Sequence, residues 1–300
     1  MTSDSETLAL VDPQLWGKQH GLPRAYPVVC HLLDTAAMAG ALWDSLLSHE
    51  VVERLSGEVG VAADELRQLV CMWAGLHDLG KISPAFQRKC VDLYAALQAA
   101  DPAYGPASAE ELRDALTLRH DEATHWVLVG IFEEFGYPAN PRGAHRGVGH
   151  QIAQMLGGHH GRFWPAMSRQ QARRPRANHP GLGAGVWEEQ CRAHAEAVRR
   201  MTESAVVPPR QLPASVAVVV AGLVIVADWL ASQETFIVQR IPAPGWSADD
   251  KGLLAHWERS VKDAAAVVRE AGLGRAVVRD LSFREMFGFE PNSLLCRRPW

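Results

Sequence analysis

A chain of 300 residues with 47% hydrophobic content can bury one substantial core, and its net charge of −4 excludes a protein coated in basic side chains for nucleic-acid binding. Its five cysteines, Cys30, Cys71, Cys90, Cys191 and Cys296, never fall in a CxxC spacing, which speaks against a disulfide framework or a thiolate zinc site and suits a reducing cytosol. No basic stretch followed by an apolar run opens the sequence, so no secretory leader is expected and the predicted compartment is the cytoplasm.

Apolar residues recur at helical spacing, and few alternating β-branched stretches compete with them, so an all-α fold is expected. In chain order, helices are predicted over about 31–47, 64–79, 109–135, 147–156, 186–202, 213–232 and 248–271. Asp64 is read as the N-cap of the second and Gly80 as its stop. Residues 157–185 break into glycines, prolines and arginines, and read as a loop inserted around a site. The apolar run 216–227 is too short to span a bilayer and ends at Asp228, so it reads as a buried helix, with no membrane partner expected. Residues 1–280 are read as one domain and 281–300 as a connecting segment, because helical periodicity fades there and two prolines intervene.

The thirteen histidines give the chemistry its location, since neutral imidazole is the commonest metal ligand among side chains. His77 and Asp78 stand together near the end of an apolar helix in WAGLHDLGKIS, where both must be satisfied and a cation is one way to do so. A capping aspartate beside an ordinary polar histidine is the plainer reading of that pair alone. His31 in YPVVCHLLDTAAMA, His120 in LRHDEATHW, His159 and His160 in GGHHGRF, and Asp228 in VIVADWLAS each have an equally plain explanation taken singly, as helix-surface, loop or capping residues. The eight remaining histidines, His20, His49, His125, His145, His150, His179, His194 and His256, are read as surface or core.

Together these residues form the series His, His-Asp, His, His-His, Asp, which resembles the ligand order of the HD phosphohydrolase superfamily at every position. The flanks resemble one branch, the HD nuclease domain of Cas3: LWGKQHGLPRAYPVVCHLLDTAAMA is similar to that family's opening signature, HDLGK, RHDEA, GGHHGRF and ADWLAS to its later motifs, and FREMFGFEPN to the segment leading toward its helicase part. The resemblance runs from about Leu15 to about Leu295. It implies a helical HD bundle holding two divalent cations, with Asp78 bridging them. One cation would be held by His31, His77, Asp78 and Asp228, the other by Asp78, His120, His159 and His160. The mixed imidazole and carboxylate set suits Mn, Fe, Co or Ni, with Mg less favoured.

Lys81, one turn past Asp78, is a candidate for contacting a phosphate oxygen or stabilising the transition state; a lysine favoured by a helix dipole is the alternative. Ser232, one turn after Asp228, could orient a ligand or touch a phosphate, or be an ordinary helical serine. Arg162, Phe163, Trp164, Arg169, Arg173, Arg174 and Arg176 interleave charge with aromatic rings, a pattern suited to single strands, although a solvated arginine loop reads equally well. The resemblance implies a metal-activated hydrolysis of single-stranded DNA in type I CRISPR interference, alongside an RNA-guided Cascade-type surveillance complex and a Cas3 helicase in cis or trans. No GxxxxGK[ST] occurs, so no helicase motor is expected within these residues. Two other readings stay open: an HD hydrolase acting on small nucleotides, and a non-catalytic assembly module.

Overall fold

The helix from Val28 to Leu46 has no polar face: every side chain from Val28 to Gly40 is buried, so it can only lie inside a bundle. The computed structural model describes residues 10–105, 117–138, 147–275 and 282–290. Its elements are the strands β1 (Trp16–Lys18) and β2 (Tyr26–Pro27), then helices α1 (Val28–Leu46), α2 (His49–Val59), α3 (Ala63–Leu76), α4 (Pro84–Gln87), α5 (Val91–Ala100), α6 (His120–Glu134) and α7 (Val148–Leu156). There follow α8 (Arg169–Arg173), α9 (Pro175–Asn178), α10 (Val186–Met201), α11 (Ala214–Ala231), α12 (Glu234–Val238), α13 (Asp250–Glu270) and α14 (Phe283–Phe287). The fold is all-α apart from the antiparallel pair β1–β2.

α1 is the axis, with α3, α11 and α13 packed around it, and α6 and α7 packed on each other beside the turn that follows α3. Polar groups carried inward by α1 are satisfied there. Asp34 accepts hydrogen bonds from Tyr26 Oη at 2.6 Å, Arg240 Nη2 at 2.7 Å and Ser260 Oγ at 2.8 Å, with His256 Nε2 at 3.1 Å. This buried network fastens β2 and α13 to the axis, and Asp34 is a residue the sequence patterns do not single out.

Several expectations are corrected. Asp64 is not the cap of α3 but lies in its first turn, where its charge suits the helix dipole; the Ala62 N–H donates to Glu65 Oε2 at 2.8 Å. α3 ends at Leu76, ahead of Gly80, which sits in a 3-10 turn over Leu79–Lys81. There it serves close packing: a Cβ on Gly80 would lie 2.2 Å from the His120 carbonyl oxygen and 2.3 Å from Thr124 N. The helix expected from 109 begins instead at His120, residues 106–116 lying outside the described residues. The segment 157–185 is not one open loop, because it contains α8, α9 and a 3-10 turn over Pro180–Leu182. α11 is only partly buried: Val218 and Trp229 are 73% and 64% exposed. By length and composition alone α11 is also apolar enough to cross a membrane. In the segment expected to be a connection, residues 283–287 form α14, while 281 and 291–300 lie outside the described residues.

Candidate metal centre

Five pieces of backbone converge on one point. His31 stands in the first turn of α1, and His77 and Asp78 where α3 gives way to the 3-10 turn. His120 is the first residue of α6, His159 and His160 lie in the turn after α7, and Asp228 is in the last turn of α11. Asp78 has φ −111° and ψ 17°, close to the bridge region of backbone space, which turns its carboxylate away from the helix axis toward the other four pieces.

The two oxygens of Asp78 face different partners. Oδ2 lies 3.0 Å from His31 Nε2, 3.3 Å from His77 Nε2 and 2.6 Å from Lys81 Nζ. Oδ1 lies 3.4 Å from both His120 Nε2 and His159 Nε2. Asp228 Oδ1 adds contacts of 3.3 Å to His31 and 3.4 Å to His77. Ligand atoms of His31, His77, Asp78 and Asp228 all fall within 4.8 Å of one another, and so do those of His120, His159 and His160.

Backbone carbonyls fix two of the rings. His77 Nδ1–H donates to Ala74 O and His159 Nδ1–H to Leu156 O, both at 2.7 Å, which turns each Nε2 inward toward Asp78. His77 Nε2, His159 Nε2 and Asp78 Oδ1 are buried with no hydrogen-bond partner. Buried polar atoms left this way are costly unless something binds them, and lone pairs converging from imidazoles and carboxylates are the donor set of a divalent cation. The residues therefore fit a metal. His120 Nε2 and His160 Nε2 approach to 2.9 Å, a spacing that demands either a shared proton or a shared cation.

Burial would raise the Asp78 carboxyl, but Lys81, then His77 and His120, hold it well below the ordinary range. Burial raises Asp228 likewise, and the nearby imidazoles of His31 and His77 outweigh it. His77 goes the other way, pushed up to about 9 by Asp78 and Asp228 against its own burial. His120 is pushed down to about 3, chiefly by burial. Burial likewise lowers the pKa of Lys81, whose ammonium pairs with Asp78 and donates to Gly17 O at 3.0 Å. Ser232 Oγ donates to Asp228 Oδ1 at 2.8 Å and accepts from Lys18 Nζ at 2.6 Å. The sequence does not mark Lys18 as a site residue: its string LWGKQHG opens the chain's first motif, but nothing in the spacing ties it to Asp228 far along the chain.

The Arg162 guanidinium lies 4.4 Å from the Trp164 ring, Arg169 and Arg173 sit exposed on α8, and Arg174 follows them. Arg176 donates to Gly183 O and pairs with Glu188 at 3.4 Å, so its charge is already engaged by the protein. Among the other histidines, His125, His150, His194 and His256 are buried, His20 and His49 are exposed, and His179 packs on Trp126. His145 lies outside the described residues.

A helical bundle that brings His, His-Asp, His, His-His and Asp together in this chain order is an HD domain. The chain belongs to the Cas3 HD-domain family, whose model, "Cas3, HD domain", matches residues 16–237. It is 31% identical over 225 residues to the CRISPR-associated endonuclease/helicase Cas3 of Thermus thermophilus, covering 73% of this chain and 22% of that one. Among solved structures it resembles T. fusca Cas3 bound to ADP, with TM-score 0.78 and 34% identity over 96% of this chain and 30% of that one. A chain of a CRISPR RNA-guided surveillance complex before nicking matches with TM-score 0.74 and 34% identity, over 88% of this chain and 29% of that one. The T. thermophilus Cas3 HD domain in the presence of Ni2+ matches with TM-score 0.59 and 26% identity, over 86% of this chain and 90% of that one. The chain thus spans under a quarter of the length of the curated relatives it matches.

Proposed function

We propose that this chain is a metal-dependent DNA nuclease of type I CRISPR interference that hydrolyses single-stranded DNA, endo- or exonucleolytically. The observation that carries the reading is the division of Asp78, with Oδ2 among His31, His77 and Lys81 and Oδ1 between His120 and His159. Two divalent ions, from Mn, Fe, Co, Ni or Mg, would be held by His31, His77, Asp78 and Asp228 on one side and Asp78, His120, His159 and His160 on the other. Bound there, such ions supply an activated water and neutralise the charge that builds on a phosphodiester in in-line attack.

The protein's own groups set the rest. Ala74 and Leu156 carbonyls fix the rings of His77 and His159, Lys81 keeps Asp78 ionised, and Ser232 steadies Asp228. His31, His77 and Asp78 are sealed from water while His160 is exposed, so a strand approaches from the His160 side. Hydrolysis is direct, without a covalent intermediate. The HD domain extends over 1–280 and works with a surveillance complex and a helicase in cis or trans, a reading supported by the surveillance-complex match and by the helicase in the relative's name.

The test is cleavage of circular single-stranded DNA with Mn, Ni, Co or Mg, beside Asp78→Ala and a panel of free nucleotides. Metal-dependent cutting by the unmutated protein alone is expected; consumption of nucleotides while the circle survives would replace this reading with a small-nucleotide hydrolase.

A further inference from the structure

The sequence directs attention to the arginines of 162–176 as the nucleic-acid contact, yet two lysines on other elements also border the ligand cluster. Lys18 ends β1. Its ammonium donates to Ser232 Oγ at 2.6 Å and lies 3.7 Å from Asp228 Oδ1, with the side chain 27% exposed. Lys89 follows α4, is exposed, and holds its ammonium 4.9 Å from the centroid of the Phe86 ring. Phe86 stacks edge-on against the ligand His120 at 5.5 Å and lies 4.5 Å from Trp16 on β1.

A continuous wall therefore joins the two lysines. Gln87 knits it together: its side chain accepts from Trp16 N at 3.2 Å and donates to both Trp16 O and Lys81 O at 2.9 Å. Lys18 stands at the Asp228 side of the cluster and Lys89 at the His120 side, next to Arg119, which pairs with Asp121 at 3.0 Å. Lys81 is different, being buried beneath the wall and spent on Asp78 and Gly17. Lys89 keeps its charge free of any carboxylate ion pair among the described residues.

Resting on the nuclease reading above, we infer that Lys18 and Lys89 form a two-point clamp for the phosphates on either side of the scissile one, holding a single DNA strand across the cluster along the Trp16–Phe86 wall. An ammonium on a flexible stem suits this task, since it binds a phosphate as a point charge without demanding a planar fork. Phe86, buried between Trp16, His120 and the Lys89 ammonium, fixes where that ammonium stands at the edge of the cluster. A clamp made of two cations also fits a chain whose overall charge is negative, because its field is confined to the site.

The experiment measures binding of a short fluorescein-labelled single-stranded oligodeoxynucleotide by anisotropy in EDTA over a salt series, then steady-state cleavage with Mn2+. The proteins compared are the unmutated chain, Lys89→Gln, the double variant Lys18→Gln with Lys89→Gln, and the double variant with arginine at both positions. Two lost phosphate contacts predict a Kd raised about tenfold and a slope of log K against log salt shallower by about 1.4. KM should rise with Kd, most cleanly in Lys89→Gln, which leaves the Ser232 and Asp228 contacts of Lys18 in place, and arginine at both positions should restore the slope. Lys89 is exposed, so its single variant reads half the effect even where the double variant folds poorly. A weakened Kd with an unchanged slope, or binding by the double variant equal to that of the unmutated chain, overturns the clamp alone. An unmutated protein that neither binds nor cuts DNA overturns the clamp and the nuclease reading together.

Discussion

Gly80 lies so close to His120 that a Cβ added to it would sit 2.2 Å from that residue's carbonyl oxygen. The Gly80 N–H also donates to the Thr124 side-chain Oγ1 at 2.9 Å, so the turn carrying Asp78 is fastened to the helix carrying His120. Gly80→Ala should destabilise the protein by about 3 kcal/mol or more, because the obstacle is main chain that cannot swing aside. It should also weaken Mn2+ binding by separating Asp78 from His120. Thermal melting and a Mn2+ titration of the same variant check both effects, and a variant with unchanged melting and affinity would show that the approach is not needed.

The Asp78 and Lys81 pair, 2.6 Å apart and buried, gives a second expectation. Asp78→Asn leaves a buried ammonium without its carboxylate, at a cost of about 3 kcal/mol, whereas adding Lys81→Met removes the stranded charge and should recover most of that loss. Cleavage should stay abolished in both proteins. Urea denaturation of the two variants in EDTA reads the recovery; equal stability of single and double variants would mean that the pair is not coupled.

His77 supplies a third. Held up to about 9, it keeps a proton in the metal-free protein at neutral pH, and a cation on Nε2 must expel it. Metal affinity should therefore rise with pH up to about 9, and titration calorimetry near neutral pH in buffers of different ionisation enthalpy should report release of about one proton. Binding without proton release would place the cation elsewhere.

Much of this site was legible in the sequence because its ligands sit in short strings around helix ends: HDLGK, RHDEA, GGHHGRF and ADWLAS each carry their residues within one turn. What could not be read was whatever depends on distant segments meeting. Asp34 lies in an apolar helix and is not singled out by the sequence, because its partners Arg240, Ser260 and His256 arrive only with α13 and its approach. Lys18 and Ser232 are likewise joined only by the fold. The boundary errors share a cause: the patterns ran α3 through His77 and Asp78, because periodicity cannot see that the chain turns aside to aim a carboxylate. Within the arginine-rich stretch, it is likewise the fold that engages Arg176 with Gly183 and Glu188, and that brings Lys18 of β1 to Asp228.

The Asp34 network makes stability depend on pH in both directions. Burial would raise the Asp34 carboxyl, but His256 and Arg240 hold it below the usual range, so its contribution is present above about pH 4 and lost as pH falls further. Burial would lower His256, yet Cys30 and Asp34 push it up to about 10, so its contribution is complete below about pH 6.5 and is lost as pH rises through about 10. The difference in melting temperature between the unmutated protein and His256→Gln, both in EDTA, should shrink from at least about 2 °C at pH 6 toward zero by pH 10. A difference that stays constant over that range would remove His256 from the account.

The central claim is that Asp78 joins two cation sites, and anomalous diffraction from crystals soaked in Mn2+ tests it most directly. The account predicts two peaks roughly 3.5–4 Å apart, one beside Asp78 Oδ2 with His31, His77 and Asp228, the other beside Oδ1 with His120, His159 and His160. A single peak held by one of these groups, with the other group empty at saturating Mn2+, would contradict it.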